Sequence, residues 1–352
     1  MTKLTPWLLL SALALGACSS DDATPPGPRT DAEYEASVTR GMHDSLLTDI
    51  KALHAAAAEL QAAAPDHAWD AEADAGAIDA MTTAWLAARA AYERTEGALA
   101  PLFPDIDGYV DARYDDFLST LGDEGDQDLF DDDGVTGMHA IERIVFAPVI
   151  PASVIKLEST LPGYKAAAWP ATDDEAIAFK TELCARLVED TQTLEKQWKP
   201  QVIDLDGAFG GLISLMNEQR EKVNKAASEE EESRYAQRTM ADIRDNLAGT
   251  VKIYALFEPW LLSKDGGEAI NADVHAAFDA LDAAYDEVSG DAIPQPPKDW
   301  SAETPSKEDL ATPFGALYSA VQASVNPNVE GSAVDGMNRA AVKLGFAEFV
   351  DE

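Results

Sequence analysis

Apolar residues recur three and four positions apart along most of the chain, which is the period of an amphipathic helix. No run of alternating β-branched residues predicts a strand. Pro-rich breaks at 101–104, 148–151, 294–297 and 304–313 separate the helical stretches. The predicted helices cover Glu33–Ala64, Ala73–Ala100, Asp173–Lys199, Ala208–Ala227, Glu230–Leu262, Glu268–Ser289, Pro313–Ala323 and Val329–Phe349.

This pattern predicts an all-α protein made of packed helical bundles. The break at 148–170 divides a front bundle, about 33–150, from a back bundle, about 170–350. The pattern alone leaves open whether these are two domains or one long bundle.

The first residues are predicted to be a targeting segment. The apolar run from Trp7 to Leu15 follows a basic Lys3 and is shorter than the roughly 20 residues of a membrane span. The sequence "LGAC" resembles the bacterial lipobox, which implies a signal peptide over 1–17, lipidation of Cys18 and a Pro-rich tether over 18–32. We therefore expect a lipoprotein that faces the periplasm, and Ser19 favours the outer membrane.

The chain is strongly acidic, with 64 Asp and Glu against 26 Lys and Arg and a net charge of −38. Without a basic surface to neutralise phosphates, binding to nucleic acid is excluded. A field of this sign attracts cations. An adaptation of the whole proteome to salt explains the same charge equally well.

The segment "GMHAIERIVF" at 137–146 places two polar residues in an apolar helix. His139 and Glu142 are three positions apart and therefore share one helix face. Imidazole nitrogen and carboxylate oxygen together suit a metal ion such as zinc or iron. A simple hydrogen bond between the two side chains is the alternative.

A second stretch, 88–117, carries more candidate carboxylates. Trp85, Tyr92, Glu96 and Leu99 fall on one helical stripe, so Glu96 is predicted to face inward, where a carboxylate needs a partner. Glu93 is one position off this stripe, and an arginine one turn earlier is a plausible ion-pair partner.

Asp111 and Arg113 follow a Pro-containing loop in the same stretch. Salt bridges from Glu96 and Asp111 to Arg89 or Arg113 compete with a metal-binding role for both carboxylates. The residues alone leave the two readings open.

Three ordered segments resemble the imelysin-like family, which includes the EfeO and EfeM iron-uptake proteins and the peptidase imelysin. Gly137, His139 and Glu142 match the family motif G-x-H-x-x-E, and "YERTEG…DIDGYVDARYDDF" (92–117) is similar to an EfeO pattern. The segment 225–249 resembles a later family segment that ends in Asp-Phe-x-x-Asn-x-x-Gly. The short tether leaves no room for a cupredoxin domain, so the chain, with its domain at 33–352, most resembles the short EfeM type.

The resemblance implies two related bundles around a central metal-binding cleft. His139 and Glu142 would be ligands, Glu96 and Asp111 further carboxylate ligands, and Arg113 and Glu93 outer partners that orient them. Iron is the expected metal, with zinc or copper possible, and an iron permease or a peroxidase is the expected partner. The segment 235–240 departs from the family by reading "YAQRTM" instead of Tyr-Ser-His-Thr-Asp-Leu.

Two other functions remain open at this stage. A metallopeptidase would need an open metal position, an activated water and a general base, and the sequence lacks a His-Glu-x-x-His motif. A protein that binds acidic polysaccharide would need bridging cations, because the chain itself is so acidic.

Overall fold

The protein is described by a computed structural model that covers residues 29–122 and 125–349. These ranges contain helices and no strand, which confirms the all-α prediction. The predicted signal peptide and Cys18 lie outside the described residues. The helices are α1 (Asp31–Ala63), α2 (Ala75–Glu93), α3 (Glu96–Leu99), α4 (Pro104–Val110), α5 (Tyr114–Thr120), α6 (Gly137–Val145), α7 (Ala152–Glu158), α8 (Asp173–Ala178), α9 (Cys184–Trp198), α10 (Leu205–Lys225), α11 (Thr239–Leu261), α12 (Gly267–Asp286), α13 (Lys307–Leu310), α14 (Pro313–Val325) and α15 (Ala333–Leu344).

The long helix α1 organises the front of the molecule, where it packs along α2 and α9. A π-helical turn at Phe179–Leu183 joins α8 to α9, so 173–198 is one continuous rod. Its contact with α1 is fixed by the Trp198 indole, which donates to the His43 carbonyl at 3.1 Å. This rod was predicted with the back bundle, but its side chains pack on the front helices.

The helices α10, α11, α12, α14 and α15 pack together at the back, and their apolar side chains join those of the front in one continuous core. Two glycines allow the front helices and the back helices to approach each other closely. A Cβ at Gly211 would lie 2.0 Å from the Gly97 carbonyl oxygen, and one at Gly249 would lie 2.3 Å from that of Arg94. As a result, α10 and α11 reach the junction between α2 and α3.

The predicted helix over 73–100 is interrupted at this junction. The main-chain N–H and the hydroxyl of Thr95 both donate to the Tyr92 carbonyl, which ends α2 at Glu93 and starts α3 at Glu96. The next stretch, expected as a loop, forms the short helix α4.

The predicted helix over 230–262 begins only at Thr239. The preceding residues form a loop, because Glu229 and Gln237 adopt left-handed φ values of 64° and 55°. This loop, 229–238, carries acidic side chains back toward α2 and α6.

None of the helices in the described ranges combines the length and the apolar character needed to cross a membrane.

Candidate metal centre

A cluster of buried and half-buried charged and polar groups lies where the front and back helices meet. It collects side chains from α2, α3, α6, α10, α11, the end of α4 and the loop 229–238. Its members are Arg89, Glu93, Glu96, Asp111, His139, Glu142, Lys222, Glu232, Asp242 and Asn246.

His139 and Glu142 form the inner wall of this cluster on α6, and both are fully buried. His139 Nδ1 lies 2.7 Å from Glu142 Oε2, while Glu142 Oε1 accepts the main-chain N–H groups of Tyr235 and Ala236 at 3.0 and 2.8 Å. When the imidazole is neutral, as a metal ligand must be, a carboxylate in this position holds its one proton on Nδ1 and leaves the lone pair of Nε2 for a metal. Glu142, expected as a ligand, therefore has the geometry of a residue that positions His139.

The other imidazole nitrogen faces the cluster. His139 Nε2 is buried without a hydrogen bond and lies 3.4 Å from Asp111 Oδ1, the same oxygen that Arg89 contacts. Burial, the largest influence, and Arg89 lower the pKa of His139, but the contacts with Asp111 and Glu142 raise it overall to about 9. The surroundings of Nε2 therefore favour a positive charge at this nitrogen. A proton can supply that charge, and a bound metal ion would supply it as well.

Gly137, the first residue of the motif, brings His139 to Asp111. Its φ is +89°, and a Cβ on it would lie 2.5 Å from the Tyr109 carbonyl oxygen and 2.8 Å from that of Val110. Both features require glycine. The start of α6 thus packs on the backbone just before Asp111.

We expect Gly137→Ala to lower the free energy of unfolding by about 2–4 kcal/mol, because left-handed strain and two carbonyl clashes add. Denaturant unfolding of the purified protein measures this. Gly76→Ala is the matched control, since Gly76 is exposed in α2 and a Cβ there meets nothing within 4 Å. Equal losses in the two variants would contradict this account of the motif glycine.

Three glutamates face one another beside the histidine. Carboxylate oxygens of Glu93, Glu96 and Glu232 all lie within 4.8 Å of one another. Lys222 Nζ lies 3.2 Å from Glu96 Oε2 and 2.9 Å from Glu232 Oε2. Asn246 completes the group, since its amide donates to Glu96 Oε2 at 2.8 Å and its carbonyl oxygen accepts from Lys222 at 3.1 Å.

Arg89 lies at the centre of the cluster, completely buried. It contacts Glu93 and Asp111 directly, and it lies 3.2 Å from Glu232 and 3.7 Å from Asp242. An arginine cannot lose its proton in a protein. Arg89 is therefore a permanent charge that links α2 to the loop and to α11.

The cluster is short of positive charge. Burial raises the pKa of Glu96 to about 7 and that of Asp242 to about 6, in spite of Lys222 beside the first and Arg89 beside the second. Excess buried charge of one sign is costly unless protons or cations neutralise it. Even with a protonated His139, three cations (Arg89, Lys222 and His139) stand against six carboxylates: Glu93, Glu96, Asp111, Glu142, Glu232 and Asp242.

A second buried network holds the loop 229–238 in place. Glu158, at the end of α7, accepts from Arg143 at 3.0 Å, from Arg234 at 3.2 Å and from the Tyr235 hydroxyl. Together with the bonds to Glu142, these contacts fix the loop and therefore the position of Glu232.

Arg113 does not take the orienting position that was expected for it. Its guanidinium lies 3.5 Å from Asp116 and donates to the Glu230 carbonyl at 3.1 Å. Arg89 is the arginine that contacts Asp111, as the salt-bridge alternative had anticipated. Arg113 instead lines the mouth of the site.

Sequence reasoning did not single out four members of the cluster: Lys222, Glu232, Asp242 and Asn246. Lys222 precedes the segment 225–249, and the other three lie within it, where the family resemblance was their signal. Asp242 and Asn246 are the Asp and Asn of its Asp-Phe-x-x-Asn-x-x-Gly pattern, and Gly249 is the glycine that packs against Arg94.

A pocket of about 240 Å³ connects the cluster with solvent. Its wall includes Glu96, Asp111, Lys222 and Glu232 on the inner side, and Glu218 and Glu221 toward the outside. A small cation has room to enter there, through a wall that is rich in carboxylates.

Comparison with known proteins relates the chain to a family. The Imelysin family model matches residues 42–317. Over 220 residues the chain is 28% identical to an Efem/EfeO family lipoprotein of Staphylococcus haemolyticus, covering 62% of this chain and 60% of that protein. It is 26% identical over 192 residues to the iron uptake system component EfeO of Yersinia pestis, covering 54% and 40%.

The matched stretches thus span less than two thirds of these curated relatives. The crystal structure of an imelysin-like protein from Psychrobacter arcticum 273-4 superposes with a TM-score of 0.54 at 13% identity, covering 92% of this chain and 99% of that one. This likeness supports the fold, and the family model covers most of the chain. The chain belongs to the imelysin family.

Proposed function

We propose that this protein binds a metal ion as cargo at the cluster around His139 and serves iron uptake at the cell envelope. One observation carries the proposal: a buried imidazole nitrogen without a hydrogen bond, oriented by Glu142, faces a group of carboxylates with too little positive charge. His139 and Asp111 would be ligands, with Glu96 beside them. Glu142 and Arg89 would position them.

The donor set defines the class of metal. One imidazole nitrogen with carboxylate oxygens suits iron, zinc or copper more than a dedicated calcium site, which uses oxygen ligands. Iron is proposed because the relatives that match 54–59% of this chain are named iron uptake system components. A permease or a peroxidase that receives the metal is the corresponding partner.

An envelope location agrees with the relative that is named a lipoprotein. Lipidation of Cys18 and a periplasm-facing position complete this proposal. The outer-membrane location suggested by Ser19 stays a prediction.

Titration of the purified protein with Fe(II), Zn(II), Cu(II) and Ca(II) in a calorimeter tests the proposal. We expect His139→Ala to weaken binding of Fe(II) and Zn(II) by at least about 100-fold, because it removes a ligand and not only its orienting partner. His275→Ala is the matched control, since His275 also pairs with a carboxylate, Glu258 at 2.6 Å, but on the surface. Unchanged affinity in His139→Ala, or a wild-type protein that binds none of these metals, would overturn the proposal.

A further inference from the structure

The ammonium group of Lys222 is surrounded by oxygen atoms in the manner of a bound cation. Nζ lies 3.2 and 3.4 Å from the two oxygens of Glu96, 3.1 and 2.9 Å from those of Glu232, and 3.1 Å from Asn246 Oδ1. Glu93 Oε2 follows at 4.0 Å. These oxygens come from four separate elements of the fold, so their convergence on one point is a tertiary feature.

The same oxygens have the spacing of ligands around one metal ion. Ligand atoms at about 2.0–2.5 Å from an ion lie no more than about 5 Å from one another. Glu93, Glu96 and Glu232 meet this condition, with oxygens within 4.8 Å of each other. A metal bound to all three would occupy the region in which the Lys222 ammonium now lies.

Of the lysine and the arginine in the cluster, only Lys222 can leave. Arg89 is completely buried and contacts carboxylates from α2, the end of α4, the loop and α11. Lys222 is a compact charge at the end of a flexible side chain, and it lies on the wall of the 240 Å³ pocket that opens to solvent.

A partner for the displaced ammonium is available in that pocket. Glu218 precedes Lys222 by one turn of α10 and lines the same pocket. A glutamate four positions before a lysine is the favourable order for a helical ion pair. Glu221, the other outer glutamate, already pairs with Lys225 at 2.7 Å.

We propose that Lys222 is an internal competitor of the metal: its ammonium fills the three-glutamate position in the metal-free protein and swings outward to Glu218 when a metal binds. The inference rests on the proposed function and concerns the glutamate side of the same cluster, beside the His139–Asp111 pair. A monovalent cation that replaces the ammonium leaves the total charge of the three-glutamate position unchanged. A divalent ion that replaces it adds one positive charge beside the three carboxylates. Lys222 therefore selects for higher charge and keeps the binding weak enough for release.

Lys222→Met tests the competition, because methionine keeps much of the side chain and removes the charge. With Zn(II) as the probe, we expect affinity to rise by about tenfold or more, since one buried ion pair no longer has to be broken. Lys225→Met, one turn nearer the mouth of the same pocket, removes an equal charge and should change affinity less than about threefold. Zn(II) affinity in Lys222→Met that is equal to or below the wild-type value would overturn the proposal.

Lysine labelling of the wild-type protein gives a second test that does not depend on folding of a variant. Acetylation with a water-soluble reagent, read by peptide mass spectrometry, should modify Lys222 slowly without metal and several-fold faster with Zn(II). Lys225 serves as the internal reference. A Lys222 rate that falls or stays constant when Zn(II) binds contradicts the outward movement.

The outcomes also separate this inference from the proposed function. If wild-type protein binds Zn(II) through His139 but neither the Lys222→Met affinity nor the labelling rate rises, only the role of Lys222 is lost. If the wild-type protein binds none of the four metals, the proposed function fails, and the role of Lys222 fails with it.

Discussion

Glu142→Gln is expected to weaken metal binding by about 10–100-fold while the fold stays intact. The new side-chain carbonyl can still accept the main-chain N–H groups of Tyr235 and Ala236. Its amide N–H₂ group then faces His139 Nδ1, which must become the acceptor. In the neutral imidazole, which is the form that can bind a metal, the proton then lies on Nε2, where it points at Asp111 and blocks the ligand position.

Two measurements separate this tautomer effect from loss of structure. Calorimetric titration with Zn(II) gives the affinity. Nitrogen-15 NMR of labelled histidine, recorded at a pH above the raised pKa of His139 so that the ring is neutral, reports which ring nitrogen carries the proton. Glu142→Ala is the comparison, because it leaves two buried N–H groups unpaired at about 1–3 kcal/mol each and should also destabilise the protein. A Glu142→Gln protein with wild-type affinity would show that the Glu142 contact does not set the tautomer.

Arg89→Met is expected to lower the free energy of unfolding by about 3–5 kcal/mol, the usual effect of breaking a buried ion pair from one side. The reason is that Arg89 is completely buried and neutralises Glu93, Asp111, Glu232 and Asp242 together. Denaturant unfolding in the presence of a chelator measures the loss.

A surface arginine provides the matched control. Arg339 also contacts two carboxylates, Asp273 at 3.0 Å and Asp335 at 3.2 Å, but it is 38% exposed. Exposed pairs contribute about 1 kcal/mol or less, so Arg339→Met should change stability little. Similar losses in the two variants would argue against a special role for the buried cluster.

Helical periodicity predicted most of the long helices but not their interruptions. The breaks at Thr95 and before Thr239 depend on main-chain bonds and left-handed residues, which leave the apolar period almost unchanged. Periodicity did not predict that 173–198 packs on α1, because the side of the molecule on which a helix packs is decided by distant contacts, such as Trp198 with His43.

The spacing of residues along one helix predicted the contacts of the site that lie within that helix. The His139–Glu142 contact and the Arg89–Glu93 ion pair both follow from residues one turn apart. The sequence did not predict that Lys222 belongs to the site, because its partner Glu96 lies 126 positions away along the chain. Its signal was weak: after Leu215, the buried stripe of α10 continues with the polar residues Gln219 and Lys222.

Glu93 and Asn246, 153 positions apart, meet at this site, as do Glu142 and the loop residue Tyr235, 93 positions apart. An ion bound jointly by carboxylates from both parts of the chain would act as a cross-link between distant segments, comparable to a disulfide that closes a long loop. Cys184 is the one cysteine of the described ranges, buried and free, so no disulfide supplies such a link there. Binding of the metal ion would then also raise the free energy of unfolding. Its release would weaken the connection between the front and back helices.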